Sequence, residues 1–195
     1  MTIQATFVRE ALVVVIKLMN KAYNNYLLKH RQGVKDSFSM VQAKLGDYLI
    51  SDLGCNENEV KHILSELWTQ LNHHDDSKYS DAEYNAYNDY FYGKERTPEI
   101  KLNFNIAWNH HQKCNPHHWQ YWILITDSGK IIPLPMPFKY IVEMLCDWHS
   151  FSRTDPQSTA YNWYTENSSN MMLHTDTIRI IKTLIVLFKE PLSVT

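Results

Sequence analysis

Apolar residues recur every three or four positions along most of this chain, the spacing of helices that bury one face. From about Thr6 to Leu45, Val15, Leu18, Ala22, Tyr26 and His30 follow that step, and Gly33 is an expected bend. Asn56 to Asn72 is a second helix, with Val60, Ile63, Leu64, Leu67, Trp68 and Leu71 as its inner stripe. Ser80-Asp81-Ala82-Glu83 has the form of a capping box that opens a third. Tyr84, Tyr87, Tyr90, Phe91 and Tyr92 follow it, either as a pocket wall or as plain packing. Pro98 suits the first turn of a fourth helix running to about His111, with Phe104, Ala107, Trp108 and His111 inward. Asn115 and Pro116 then stop that helix, as the cap and first residue of another.

The helical pattern breaks once. Asp127-Ser128-Gly129-Lys130 is a turn, and its flanks, Trp122-Ile125 and Ile131-Leu134, pair as a small hairpin or stay extended. Pro133, Pro135 and Pro137 exclude a central strand there. Pro137 opens a helix from Phe138 to about His149, and Ala160–Glu166 forms a short one. Thr175 or Thr177 caps a terminal helix whose Ile178, Ile181, Leu184, Ile185 and Phe188 complete the core. The expected fold is an all-α bundle with a short β-hairpin near 122–134. Residues 1–195 form one domain, and 151–195 serve as its structural completion.

Composition narrows the class. A hydrophobic fraction of 44% and an aromatic fraction of 13% describe a folded globular chain of 195 residues. With 5 glycines and 7 prolines there is no low-complexity linker, and no repeat is evident. A formal charge of −2 gives no basic field, so nonspecific nucleic-acid binding is not indicated. Cys55, Cys114 and Cys146 lack metal or disulfide spacing, which fits a reduced cytoplasmic protein. The run Ala11 to Ile16 is too short for a membrane span and reads as buried helix.

Ten histidines exceed what packing explains, and six of them form the internal pairs His73-His74, His110-His111 and His117-His118. Three or four residues beyond Leu71 come His74 and Asp75, which places both inward from the end of a core helix. A buried carboxylate without a partner costs several kcal/mol even after relaxation, and a metal removes that penalty. A solvent-exposed helix end is the alternative. His110, His111, His117 and His118 bring four imidazoles to one corner between helices, a set suited to zinc, iron, manganese or nickel. A stacked histidine–tryptophan surface is the other reading. His30 extends an apolar stripe, and a lone inward histidine is most often a hydrogen-bonded core residue. Asp147 shares a face with Tyr140 and Met144, with Glu143 beside them; an exposed helix face explains Glu143 and Asp147 as well.

The run His74-Asp75-Asp76-Ser77-Lys78 resembles the His-Asp-x-Gly-Lys signature of the HD superfamily of metal-dependent phosphohydrolases. His30, His74-Asp75, the His110–His118 segment and Asp147 follow that superfamily's order of ligands over roughly residues 26 to 150. The likeness is closest to a branch of bacterial and phage proteins with His-Asp-x-Ser-Lys and Asn-x-His-His patterns, which implies no particular activity. Ser77 replaces the usual glycine, and the Gly-Tyr-Pro element of the cyclic-dinucleotide branch is absent.

The resemblance implies hydrolysis of a small phosphoester such as a nucleotide, in a cytoplasmic protein. One or two divalent ions of manganese, iron, nickel, cobalt or zinc would be used. One ion would be held by His30, His74, Asp75 and Asp147. Asp75 would bridge to a second, held by His111, His117 and His118, with His110 as the other candidate of its pair. Glu143 would orient a ligating histidine. Lys78 would hold a phosphate oxygen as a point charge, acting with Asp75 in catalysis. Two alternatives stand beside this: a di-iron oxygenase on the same scaffold, and a non-catalytic, metal-stabilised binding protein of phage or mobile-element origin.

Overall fold

The computed structural model describes the backbone of residues 3–193 and the side chains of residues 21–193. Among these, the regular structure is seven α-helices, short 3₁₀ turns and one hairpin. The helices are α1 (Ile3–Ser51), α2 (Glu57–Asn72), α3 (Tyr84–Tyr92), α4 (Pro98–Cys114), α5 (Phe138–Ser150), α6 (Ala160–Asn167) and α7 (Thr175–Leu184). Strands β1 (Ile123–Ile125) and β2 (Ile131–Pro133) pair antiparallel, with Leu124 opposite Ile132. The all-α class with a small hairpin is therefore as the sequence predicts. No helix among the described residues is long and apolar enough to cross a membrane. The run Ala11 to Ile16, with Val15 and Leu18, is helical in backbone, but its side chains lie outside the described residues.

The sequence predicts one domain, and the chain gathers into two compact units: residues 1–29 with 76–111, and residues 30–75 with 112–195. The divisions fall inside α1, inside α4 and between Asp75 and Asp76, so no linker composition marks them.

The first unit has an aromatic core. Tyr23, Leu27, Tyr87 and Ala107 are buried, with Tyr84, Tyr92, Phe104 and Trp108 packed against them. Tyr90 stacks on Phe104 at 4.0 Å between ring centroids, and Tyr87 meets Phe104 edge-on at 5.2 Å. These tyrosines pack on Phe104, gaining area burial and ring geometry together.

The second unit has an aliphatic core. Val34, Phe38, Val41 and Leu45 of α1 meet Leu67 and Leu71 of α2, Ile141, Val142, Met144 and Leu145 of α5, and Ile181, Leu184 and Phe188 near the C-terminus. Asn56 caps α2 with a complete capping box, its side chain accepting from the amides of Asn58 and Glu59. Helix α5 is buried almost all round from Ile141 to Asp147 and forms the centre of the unit.

Several local expectations need correction. Helix α1 continues through Gly33 without interruption, because that glycine is where Ser150 of α5 comes close. Trp68 is 42% exposed, its ring tilted against Phe38 at 6.2 Å, since its position is turned about 100° from Leu67 around the helix. Ser80 does not cap α3: the helix starts at Tyr84, and the Glu83 carboxylate is occupied by two histidines instead. Asn115-Pro116 opens no α-helix. One 3₁₀ turn follows, Trp119–Trp122, because the chain must enter β1. The cap of α7 is His174, not Thr175 or Thr177. The Thr177 hydroxyl instead accepts the amide of Met136 at 2.9 Å.

Candidate metal centre

Helix α2 ends at Asn72, and His73 closes it. His74 and Asp75 therefore sit on the turn that follows, not on the helix's inward stripe as the sequence predicts. Asp75 has φ of 58°, the one left-handed non-glycine residue described. Aspartate tolerates that region better than most residues because its short side chain bonds locally. The reversal ends the helix while keeping both side chains inside: His74 is 1% and Asp75 5% exposed.

Four donor groups converge here from three segments. His30 Nε2 of α1 lies 3.1 Å from Asp147 Oδ1 of α5, 3.4 Å from His74 Nε2 and 3.5 Å from Asp75 Oδ2. His74 Nε2 lies 3.5 Å from Asp75 Oδ2 and 3.7 Å from Asp147 Oδ1. Ligands about 2.1 Å from a common ion, at angles of 90–110°, are separated by roughly 3.0–3.4 Å. The observed spacings are close to that, so the donor set fits a transition-metal ion. The other Asp75 oxygen, Oδ1, is 3.4 Å from His117 Nε2. Asp75, His117 and His118 together offer ligand atoms within 4.8 Å of one another.

The opposite ring nitrogens are all occupied by acceptors. His74 Nδ1 is 2.9 Å and His117 Nδ1 3.3 Å from Glu143 Oε1, so one carboxylate receives both N–H groups. Gln70 donates to the other Glu143 oxygen. The Ser150 hydroxyl donates to the Asp147 carbonyl at 2.7 Å, leaving its lone pair for the Nδ1–H of His30 at 3.1 Å. When neutral, the three imidazoles are thus held in the tautomer that turns an Nε2 lone pair toward the aspartates. Arg31 further ties the turn by donating to the His74 carbonyl at 3.0 Å.

The charge state follows from this crowding. Burial opposes protonation of His74, but Asp75, Asp147 and Glu143 outweigh it and raise its pKa to about 10. For His117, burial and the neighbouring His74 charge work downward, and the bonds from Asp75 and Glu143 lift it overall. Glu143 is pushed up by burial yet brought down to about 2 by His117 and His74. Asp147 is likewise held well below the usual carboxylate range by His30 and His74 despite burial. Protons compensate three carboxylates in this pocket, and a divalent cation would displace them. Cys146, adjacent in sequence, is a buried thiol pushed well upward, chiefly by burial.

The remaining predicted residues lie in the first unit. Glu83, fully buried, receives His110 Nδ1 on one oxygen and His111 Nδ1 on the other, each at 2.8 Å. Ser77 Oγ lies 3.1 Å from His111 Nδ1. Burial would raise the Glu83 carboxyl, but His111, His110 and Ser77 bring it below its ordinary value. Lys78 is 8% exposed, in the 3₁₀ turn Asp76–Tyr79, with its ammonium 5.5 Å from the centre of the Tyr87 ring. Asp76 is exposed. Arg153, in the second unit, is ion-paired with Asp36.

Sequence reasoning missed Ser150, Gln70, Arg31 and the role of Glu83. Gln70 lies one turn before His74, and Ser150 three residues beyond Asp147, so helical spacing carried a faint signal for both. Glu83 carried a misleading one, since the capping-box reading already accounted for it.

Fold and site together define an all-helical protein with a buried histidine–aspartate cluster able to hold a metal. The chain belongs to a family described as a family of unknown function (DUF5662), whose model matches residues 19–187. No curated protein matches the chain. No solved structure matches it either.

Proposed function

We propose that this chain is a metal-dependent phosphohydrolase of the HD type, acting on a small phosphoester such as a nucleotide. The observation that carries the reading is the convergence of His30, His74, Asp75 and Asp147 at ligand-like spacing, with acceptors behind His30 and His74. A bound divalent ion supplies Lewis acidity there, lowering the pKa of a water and neutralising phosphoryl oxygens. His30, His74, Asp75 and Asp147 would hold the first ion. Asp75, His117 and His118 would hold a second ion, Asp75 Oδ1 being 3.4 Å from His117 Nε2.

The protein's own work is orientation and charge. Glu143 fixes two imidazoles at once, and Ser150 fixes a third, so the donor set is assembled before a ligand arrives. Lys78 carries the ammonium of the His-Asp-x-Ser-Lys run and is proposed to hold a phosphate oxygen.

Release of inorganic phosphate or a nucleoside from a nucleotide panel, with manganese, iron, nickel, cobalt or zinc supplied, tests the reading. Activity lost in His74→Ala and Asp75→Ala, with helical circular dichroism kept, supports it. A metal-loaded protein that releases nothing from any phosphoester overturns it.

A further inference from the structure

A second recess in the same unit lies outside the metal cluster. It has a cavity of about 500 Å³, within the range of small-molecule sites. Trp148 and Phe151 line one part, Trp163 and Asn162 of α6 another, and the carboxylates of Asp155 and Glu166 complete it. None of the side chains lining it is basic.

Two of the rings are part exposed, Trp163 at 46% and Phe151 at 43%. Large aromatic faces left in water around a cavity are a loss unless something covers them. Their backing is firm: Trp148 stacks on Tyr164 at 6.4 Å, and Thr159 caps α6 by accepting the Asn162 amide at 3.2 Å. Asp155 is anchored too, accepting the Gln157 amide at 3.1 Å and the Ser158 hydroxyl at 2.7 Å.

The electrostatics select the guest. Aromatic faces carry negative potential, and two carboxylates add to it, so the site attracts cations and repels phosphate. The Asn162 amide already donates to the Gln157 carbonyl at 2.8 Å, so it offers little for reading a base edge. We propose that the Trp148–Phe151–Trp163 recess, flanked by Asp155 and Glu166, binds a small organic cation of the alkylated-ammonium class. Rings surround the alkyl groups, and the carboxylates balance the charge. The site needs no metal, and it adjoins the metal cluster at Phe151, whose ring lies 5.3 Å from that of His30.

Titrating choline and tetramethylammonium against the full chain in chelator, read by tryptophan fluorescence, tests this. The expected result is saturable quenching by both cations, much weaker for choline's uncharged tert-butyl isostere and absent for AMP. Trp163→Ala should weaken binding by roughly tenfold or more, and Glu166→Gln by less. Both positions are exposed, so the fold should survive, which circular dichroism checks. Equal binding of the isostere, preference for AMP, or no saturable binding of either cation would overturn the proposal.

Discussion

The Glu143 carboxylate receives the Nδ1–H of His74 at 2.9 Å, across 69 residues of sequence. It is shared with His117, so one buried acid sets the direction of two imidazoles. Glu143→Gln keeps the volume and removes the charge. Metal affinity should fall by roughly 10–100-fold, the usual cost of losing such a partner. Competition against a metal-binding dye measures it, and unchanged affinity would remove Glu143 from the site.

Asp75 should show the energetics of its left-handed backbone separately from its chemistry. Asp75→Gly and Asp75→Ala both delete the carboxylate, but only alanine meets the steric cost of φ 58°. The glycine variant should be more stable by about 1 kcal/mol, in the metal-free state, by denaturant unfolding. Neither should bind metal tightly.

Gly33 of α1 lies against Ser150 of α5. A Cβ there would meet Ser150 Cβ at 3.1 Å and the Ser150 carbonyl at 3.3 Å. Alanine gains about 1 kcal/mol of helix propensity, while forcing the contact costs typically 1–3 kcal/mol. Gly33→Ala should therefore destabilise modestly. Because Ser150 also receives His30, it should weaken metal binding beyond the stability loss.

Much of the fold was legible because helical periodicity is a local signal. Val60, Leu67 and Leu71 were inward as their spacing implied, and Ile181, Leu184 and Phe188 closed the core. At His74-Asp75 the i+3/i+4 rule carries the helix past its true end at Asn72, because no glycine announces the stop. Spacing singles out His30, His74, Glu143 and Asp147 one by one, yet only the fold shows that the two imidazoles turn Nε2 toward the aspartates and Nδ1 toward Ser150 and Glu143. The division into two units was hidden because it cuts through helices.

The metal-free protein should carry an alkaline signature. His74 is raised from 6.5 to about 10, so its stabilising contribution is full below pH 6.5 and lost as pH rises toward 10. His149 runs the other way: burial lowers it to about 4, with a small opposing contribution from the Glu190 backbone. Its contribution is present above pH 6.5 and fades as pH falls toward 4. Thermal unfolding of the metal-free protein should thus peak near pH 6.5. Metal should abolish the alkaline decline, because the ion replaces the proton on His74.

The most direct test is the metal content of purified protein, by elemental mass spectrometry with calorimetric titration of manganese, iron, nickel, cobalt and zinc. One or two ions per chain are expected, with binding strongly reduced in His74→Ala and in Asp147→Ala. A folded protein that carries none of these metals, and takes up none when titrated, would contradict the metal centre and with it the proposed chemistry.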